Sequence, residues 1–110
     1  MHVIIWEFTV REEHIQEFIR AYNSNGDWAQ LFKRADGYLG TELLRSSAEP
    51  NIFLATDFLA TDFLTIDRWE SADCFDIFLK QFAAEYQTLD TKLEGYAQSE
   101  KKVGVFTAAW

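Results

Sequence analysis

Residues 63–86 read FLTIDRWESADCFDIFLKQFAAEY and pass from a strand-like run into a helix. Ser71 is a favourable N-cap residue, because its side chain can accept a hydrogen bond from the first free backbone N–H groups of a helix. Beyond it, apolar side chains recur at helical spacing and form one stripe, which comprises Phe75, Phe78, Leu79, Phe82 and Tyr86 and continues more loosely through Leu89 and Leu93. The stretch therefore predicts a strand that ends at Trp69 and one long helix over about residues 71–94.

The N-terminal part of the chain shows the same change from a strand-like pattern to a helical one. Residues 2–10 (HVIIWEFTV) are rich in β-branched and aromatic types, which favours a strand. A helix follows, since Ile15, Phe18, Ile19 and Tyr22 fall on one helical face before the NSNG turn of residues 23–26. Asp27 is expected to cap a second, short helix that carries Trp28, Leu31 and Phe32 and ends before Gly37.

Two further strands complete the pattern, in residues 38–46 (YLGTELLRS) and 102–110 (KVGVFTAAW), while residues 52–69 are strand-like throughout. The order strand, helix, strand, strand, helix, strand predicts one α+β domain over residues 1–110. Its fold is expected to be ferredoxin-like, βαββαβ, with a four-stranded antiparallel sheet and both helices on one face. The uncovered face of the sheet predicts a homodimer that pairs two sheets into a dimeric α+β barrel.

Residues 53–67 contain three near-copies of one five-residue unit, FLATD FLATD FLTID. An odd repeat places successive copies on opposite faces of a strand, and a strand over residues 52–69 would be unusually long. We therefore expect a bulge, a bend or an added hairpin near residues 55–62. The ten residues 53–62 are interpreted as an inserted tandem repeat, either in a surface loop or in an arm that reaches a partner subunit.

Composition excludes several classes of partner. The chain has 18 acidic and 10 basic residues, a formal net charge of −8, and no basic cluster beyond Lys101-Lys102, so nucleic acid is not an expected partner. It lacks an apolar run of membrane-spanning length and a signal-peptide pattern, and its one cysteine, Cys74, cannot form an internal disulfide. A cytoplasmic protein that does not bind membranes is expected.

The segments EFIRAY, GDWAQLF and DGYLGTELLR, together with FLTIDRWESADCFDIFLKQFAAEY and SEKKVGVF, resemble the antibiotic biosynthesis monooxygenase family. The resemblance covers nearly the whole chain outside residues 53–62. It implies a dimeric α+β barrel and, as in some of the family, cofactor-free oxidation of an aromatic, polyketide-like small molecule by dioxygen. Haem-degrading relatives carry a His on the second helix and an Asn on the first strand. Neither is present in this chain at those places, so haem is disfavoured and no cofactor is expected.

Such chemistry needs a dry aromatic pocket and groups that handle a substrate anion. Trp69 matches the Trp of the family at the strand-to-helix junction, Arg68 beside it could pair with an anion, and His2 titrates near neutral pH. These three are the predicted catalytic residues, although each also has an ordinary structural interpretation. The predicted substrate-binding residues are Trp6, Tyr38, Phe78, Phe82 and Tyr86. No cluster has the spacing of metal ligands, so no metal site is expected.

Two other functions remain open on the sequence. A non-catalytic dimeric module that binds a small molecule or regulates would have a closed or purely apolar pocket. An isomerase or decarboxylase would need a buried acid or His opposite a void of substrate size. Because one fold supports many functions, the fold by itself does not choose among the three.

Overall fold

The computed structural model describes residues 1–47, 52–53 and 59–109. Within them the strands are β1 (His2–Arg11), β2 (Tyr38–Arg45), β3 (Ile52–Phe53), β4 (Leu59–Trp69) and β5 (Ser99–Thr107). The helices are α1 (Ile15–Tyr22), α2 (Asp27–Phe32), α3 (Ala72–Gln81) and α4 (Ala83–Leu93), and a 3₁₀ turn (Glu12–His14) precedes α1.

The long strands form an antiparallel sheet in the order β2-β4-β1-β5. β1 and β4 are its central strands and pair along their whole length, from His2 opposite Trp69 to Arg11 opposite Ala60. The two strands that follow helices, β2 and β5, lie at the edges. This is the strand order of the ferredoxin-like fold, so the predicted α+β class is confirmed.

The core lies between the helices and one face of the sheet. Side chains of a strand alternate between faces, and the even positions Ile4, Phe8 and Val10 of β1 are buried on the helix side. They meet apolar helix residues such as Phe18 and Phe78, both fully buried. Many of the aromatic side chains of the chain therefore pack in this layer.

Two local predictions were wrong. The long helix over residues 71–94 is divided at Phe82, whose backbone (φ −114°, ψ 29°) leaves the helical region. The apolar spacing of the sequence does not reveal this break, because the stripe runs through Phe82. Backbone hydrogen bonds also continue across the break: Phe82 donates to Phe78 and Tyr86 donates to Phe82, each at 2.8 Å. Ser71 does cap α3, since its side chain accepts a hydrogen bond from the backbone of Cys74.

The N-cap of α2 is Gly26 and not Asp27. A Cβ atom at Gly26 would lie 2.6 Å from the carbonyl oxygen of Ala21, so the chain passes too close for a side chain there. Asp27 occupies the first turn of the helix instead, where the helix dipole favours a carboxylate.

The repeated segment is only partly described. Ile52 pairs with Ala60 and Phe53 with Leu59, so β3 and β4 are separate antiparallel strands and residues 52–69 are not a single strand. Residues 54–58, which include the first half of the expected break, lie outside the described residues. The interpretation of residues 53–62 as an insertion stays a prediction.

The second face of the sheet, which we call the open face, carries apolar side chains. Directly paired residues of an antiparallel sheet share a face, and alternation places the following on the side away from Ile4 and Phe8: Val3 and Phe106, Ile5 and Ile66, Leu44 and Leu64. Leu44 is 44% and Phe106 47% exposed. None of the helices that the structure describes is long and apolar enough to span a membrane.

Candidate active site

A cavity of about 200 Å³ lies between the helix layer and the sheet. The strands β1, β2, β4 and β5 contribute residues to its floor, and the helices α1, α2 and α4 contribute residues to its roof. Its lining consists of Trp6, Phe8, Tyr22, Trp28, Phe32, Thr41, Thr65, Asp67, Tyr86, Asp90 and Glu100. An apolar cavity of about 150 Å³ accommodates benzene, so this one has room for a somewhat larger aromatic molecule.

Asp67 supplies a carboxylate to the floor of this cavity. It lies on the central strand β4, on the same face as the buried residues Phe63, Thr65 and Trp69, because odd positions of that strand alternate toward the helices. Desolvation by burial raises the pKa of Asp67 to about 6, although a hydrogen bond from Thr41 acts in the opposite direction. A carboxyl group with such a pKa is ionised for part of the time at neutral pH and can exchange a proton there.

A short chain of hydroxyl groups holds this carboxylate. Thr41 on the edge strand β2 donates to Oδ1 of Asp67 at 2.6 Å, and the Tyr38 hydroxyl lies 2.5 Å from Thr41 Oγ1. Because the single proton of Thr41 goes to the carboxylate, Tyr38 is the donor in the second bond. The orientation of Asp67 is therefore fixed from one side.

Aromatic rings form the rest of the wall. The centroid of the Trp28 ring lies 5.0 Å from that of Tyr86 and 6.4 Å from that of Tyr22, and Phe8 is 5.0 Å from Tyr22. Such rings bury a flat apolar ligand and exclude water from the carboxylate beneath it.

Two more carboxylates, Asp90 on α4 and Glu100 on β5, lie at the solvent-exposed rim. Partial burial, together with the neighbouring charge of Asp90, raises the pKa of Glu100. Burial raises the pKa of Tyr22 to about 12 and also raises that of Tyr86, and both tyrosines are affected in the same direction by Asp90 and Glu100. The carboxylates make the electrostatic potential of the cavity negative, and the described residues that line it include no Lys, Arg or His.

The described part of the chain has no group of three His, Cys, Asp or Glu residues arranged to hold a metal ion. The acid and hydroxyl groups of the cavity are suited instead to binding a small molecule and to moving a proton.

Of the eight residues predicted from the sequence, Trp6 and Tyr86 line the cavity. Tyr38 reaches it indirectly, through Thr41. Trp69 is fully buried and packs against Tyr38, with ring centroids 5.3 Å apart. Phe78 and Phe82 belong to the same buried cluster as Trp69.

The other two predicted catalytic residues lie away from the cavity lining. Arg68 points to the opposite face from Asp67 and forms an ion pair with Glu42 on β2. The ring of His2 lies beside that of Phe75, at 6.0 Å between centroids. The structure thus gathers the predicted binding residues more closely than the predicted catalytic ones, whose roles stay predictions.

The polar residues of the cavity are not among the site residues predicted from the sequence. Asp67 carried a usable signal, because it stands two residues before Trp69 and alternation places the two on the same face of the strand. Glu100 carried no such signal, since its position depends on the pairing of β5 with β1, where it lies opposite Phe8.

Comparisons with known proteins agree on the fold. A mutant form of SnoaB, a cofactor-independent oxygenase from Streptomyces nogalater, is 23% identical with a TM-score of 0.65, over 99% of this chain and 93% of that one. The monooxygenase ActVA-Orf6 of Streptomyces coelicolor, solved with nanaomycin D, is 17% identical with a TM-score of 0.59, over 99% and 88%. A dimeric ferredoxin-like protein from an uncultured marine organism is 12% identical, also with a TM-score of 0.59, over 100% and 92%.

No curated protein matches the chain in sequence. The model of one family, described as antibiotic biosynthesis monooxygenase, matches residues 1–58, which contain β1, α1, α2, β2 and β3. Since this match covers more than half of the 110 residues, the chain belongs to the antibiotic biosynthesis monooxygenase family.

Proposed function

We propose that this protein is a cofactor-independent monooxygenase that oxidises an aromatic, polyketide-like small molecule in its cavity. The observation that carries the proposal is the carboxylate of Asp67 in a cavity that is otherwise walled largely by aromatic rings. A non-catalytic binding module would not need a partly desolvated acid that is held in place by Thr41.

Asp67 acts as the general base in this proposal. Its pKa of about 6 is near the pH of the cell, which is where a base is most effective. It removes a proton from a phenol or from an activated CH₂ group of the substrate, and the electron-rich anion then transfers electrons to dioxygen. In the overall reaction a CH₂ group and O₂ become a C=O group and water, so no external reductant is needed.

The relatives support the same reaction type. SnoaB is described as a cofactor-independent oxygenase, and ActVA-Orf6 is a monooxygenase solved with nanaomycin D as its ligand. Both share a fold with this chain at low identity, so the substrate has to be inferred from the lining of this cavity.

We further propose that the working form is a cytoplasmic homodimer. The open face, with its exposed apolar side chains, is the contact surface that we propose, and a dimeric ferredoxin-like protein is among the similar structures. Pairing two sheets would remove exposed Leu44 and Phe106 from water.

Oxygen uptake by the purified protein tests the proposal. A panel of anthrones, naphthols and phenols should include a substrate that is turned over without added metal or flavin. Asp67→Asn should reduce the rate about 100-fold or more, because a general base contributes at least that much. Asp76→Asn, which removes the same charge from the exposed side of α3, should leave the rate unchanged.

The wild-type rate should increase as the pH rises through about 6, where Asp67 loses its proton. Trp69→Phe, Arg68→Ala and His2→Ala belong in the same assay, because they test the three residues that the sequence suggested. A loss of rate in one of these variants as large as the loss in Asp67→Asn would instead assign the catalytic role to that residue.

An isomerase is the second candidate, since a carboxylic acid beside a cavity of substrate size fits it as well. The two functions differ in their need for oxygen. Exchange of substrate C–H for deuterium under argon, followed by a rearranged product and no oxygen uptake in air, would favour the isomerase over the monooxygenase.

A further inference from the structure

The charge of the cavity conflicts with an anionic substrate. A cofactor-independent oxygenase generates a substrate anion, yet the described residues of the lining contribute three carboxylates, Asp67, Asp90 and Glu100, and no cationic side chain. Lys102 pairs with Trp6 in the sheet, but it is exposed and lies outside the lining. A bare phenolate would therefore be repelled in a site where water is partly excluded.

The aromatic walls of the cavity also favour a cationic ligand. Trp6, Trp28, Tyr22 and Tyr86 all line the one cavity of about 200 Å³. Trp and Tyr rings attract ammonium groups through their quadrupoles, and aromatic cages are a recurring way in which proteins bind organic cations. The carboxylates complement such a cage, with Asp67 at the floor of the cavity and the other two at its rim.

We infer that the substrate of this cavity is an arylalkylamine, an aromatic ring system with an aliphatic amine, whose protonated nitrogen is placed toward the rim carboxylates Asp90 and Glu100 and whose reacting ring is placed over Asp67. The inference rests on the proposed function, because it concerns the molecule that the same cavity oxidises. A protonated amine makes the occupied cavity less negative by one charge, both before and after Asp67 takes the proton, and it converts the deprotonated substrate from an anion into a zwitterion. The amine also provides orientation, since it fixes which end of the ring system reaches Asp67.

Three probes of one shape and different charge test the inference: naphthalen-2-ylmethylamine, naphthalen-2-ylmethanol and 2-naphthoate. Calorimetric titration at pH 7 should give an amine affinity about tenfold higher than that of the alcohol, from cation–π contacts and exposed charge pairs together. The naphthoate should bind more weakly than the alcohol. Equal binding of amine and alcohol, or tighter binding of the naphthoate, would overturn the inference using the wild-type protein alone.

Variants of the two rim carboxylates test whether they cause the preference for the amine. Glu100→Gln and Asp90→Asn should each reduce the preference for the amine over the alcohol about threefold, while affinity for the alcohol stays the same. Asp76→Asn is the matched control, because it changes the net charge equally on the exposed side of α3. A preference that changes no more in both rim variants than in this control would also overturn the inference.

Failure of the inference and failure of the proposed function give different results. A clear amine preference without oxygen uptake on any substrate would keep the ligand class and remove the oxygenase. Oxygen uptake on neutral anthrones with no amine preference would keep the oxygenase and remove the ligand class.

Discussion

The carboxyl group of Asp67 links stability and activity at the scale of one residue. Its pKa is about 6 in the folded protein and 3.8 as the ordinary value, so between these pH values the folded state binds more protons than the unfolded state. The free energy of unfolding must then decrease as the pH rises from about 4 to about 6. Above pH 6 the loss is complete, and it amounts to about 2–3 kcal/mol.

Asp67→Asn removes this pH dependence, because an amide is neutral throughout and can still accept the hydrogen bond of Thr41. Urea unfolding at pH 7.5 should show the variant to be about 2 kcal/mol more stable than the wild type, with the difference disappearing at pH 4. A variant that is less stable than the wild type at pH 7.5 would contradict the burial of an ionised carboxylate. The variant should be more stable and less active, because the functional site keeps an ionised carboxylate buried at a cost in stability.

Residue by residue, the sequence predicted the apolar half of the site better than the polar half. Trp6 and Tyr86 could be identified because aromatic residues on core-facing positions follow from strand and helix periodicity. Asp67 was overlooked because an acidic residue next to Arg68 suggests an exposed pair, whereas alternation places the two on opposite faces. The two rim carboxylates meet only through tertiary structure, so no local pattern brings them together.

At the scale of elements, the approach of β2 to α3 depends on Gly37. This residue has φ +87°, and a Cβ atom there would lie 2.5 Å from Sγ and 2.8 Å from Cβ of Cys74. Its carbonyl also accepts a hydrogen bond of 2.7 Å from Glu70, which ties the end of β4 to the start of β2. Gly37→Ala should therefore reduce the free energy of unfolding by about 2–4 kcal/mol, combining backbone strain with overpacking.

Gly95→Ala separates the two effects. Gly95 has nearly the same backbone angle, φ +92°, but a Cβ atom there meets nothing within 4 Å. Urea unfolding of this variant should show only the conformational penalty, about 1 kcal/mol. If both variants lose the same free energy of unfolding, the close approach of Cys74 adds nothing to the cost of a Cβ atom at Gly37.

Elements with a strong local pattern were predictable, and their interruptions were not. The strands β1, β2 and β5 and the helix α1 lie within a few residues of their predicted positions because each carries its own periodicity. The break at Phe82 has no sequence signal, since the apolar stripe of the helix runs through it. The five-residue repeat did indicate that residues 52–69 cannot form one strand, because an odd period conflicts with the alternation of a sheet.

At the scale of the whole molecule, the sheet has one face covered by helices and one face without them, where apolar side chains lie beside charged ones such as Glu7, Glu42 and Arg68. Three cross-strand pairs, Val3–Phe106, Ile5–Ile66 and Leu44–Leu64, lie on the open face. Exposed apolar side chains on an uncovered sheet face favour an interface there, and a closed two-fold dimer is the simplest assembly that buries them on both copies. The cavity lies on the other side of the sheet, so pairing through the open face leaves its entrance free.

Ile66→Lys places a charge at the centre of this face, on the central strand β4, and should separate the dimer. Sedimentation should give twice the protomer mass of 12.8 kDa for the wild type and close to a single protomer for the variant. Ile77→Lys is the matched control, since Ile77 is 60% exposed on α3 and should change neither mass nor fold. A wild-type protein that sediments as a monomer, or an Ile66→Lys variant that remains dimeric, would place the contact elsewhere and leave the open face without a partner. If the separated protomer still binds the arylalkylamine probe, the cavity is complete within one chain, and dimerisation serves stability more than ligand binding.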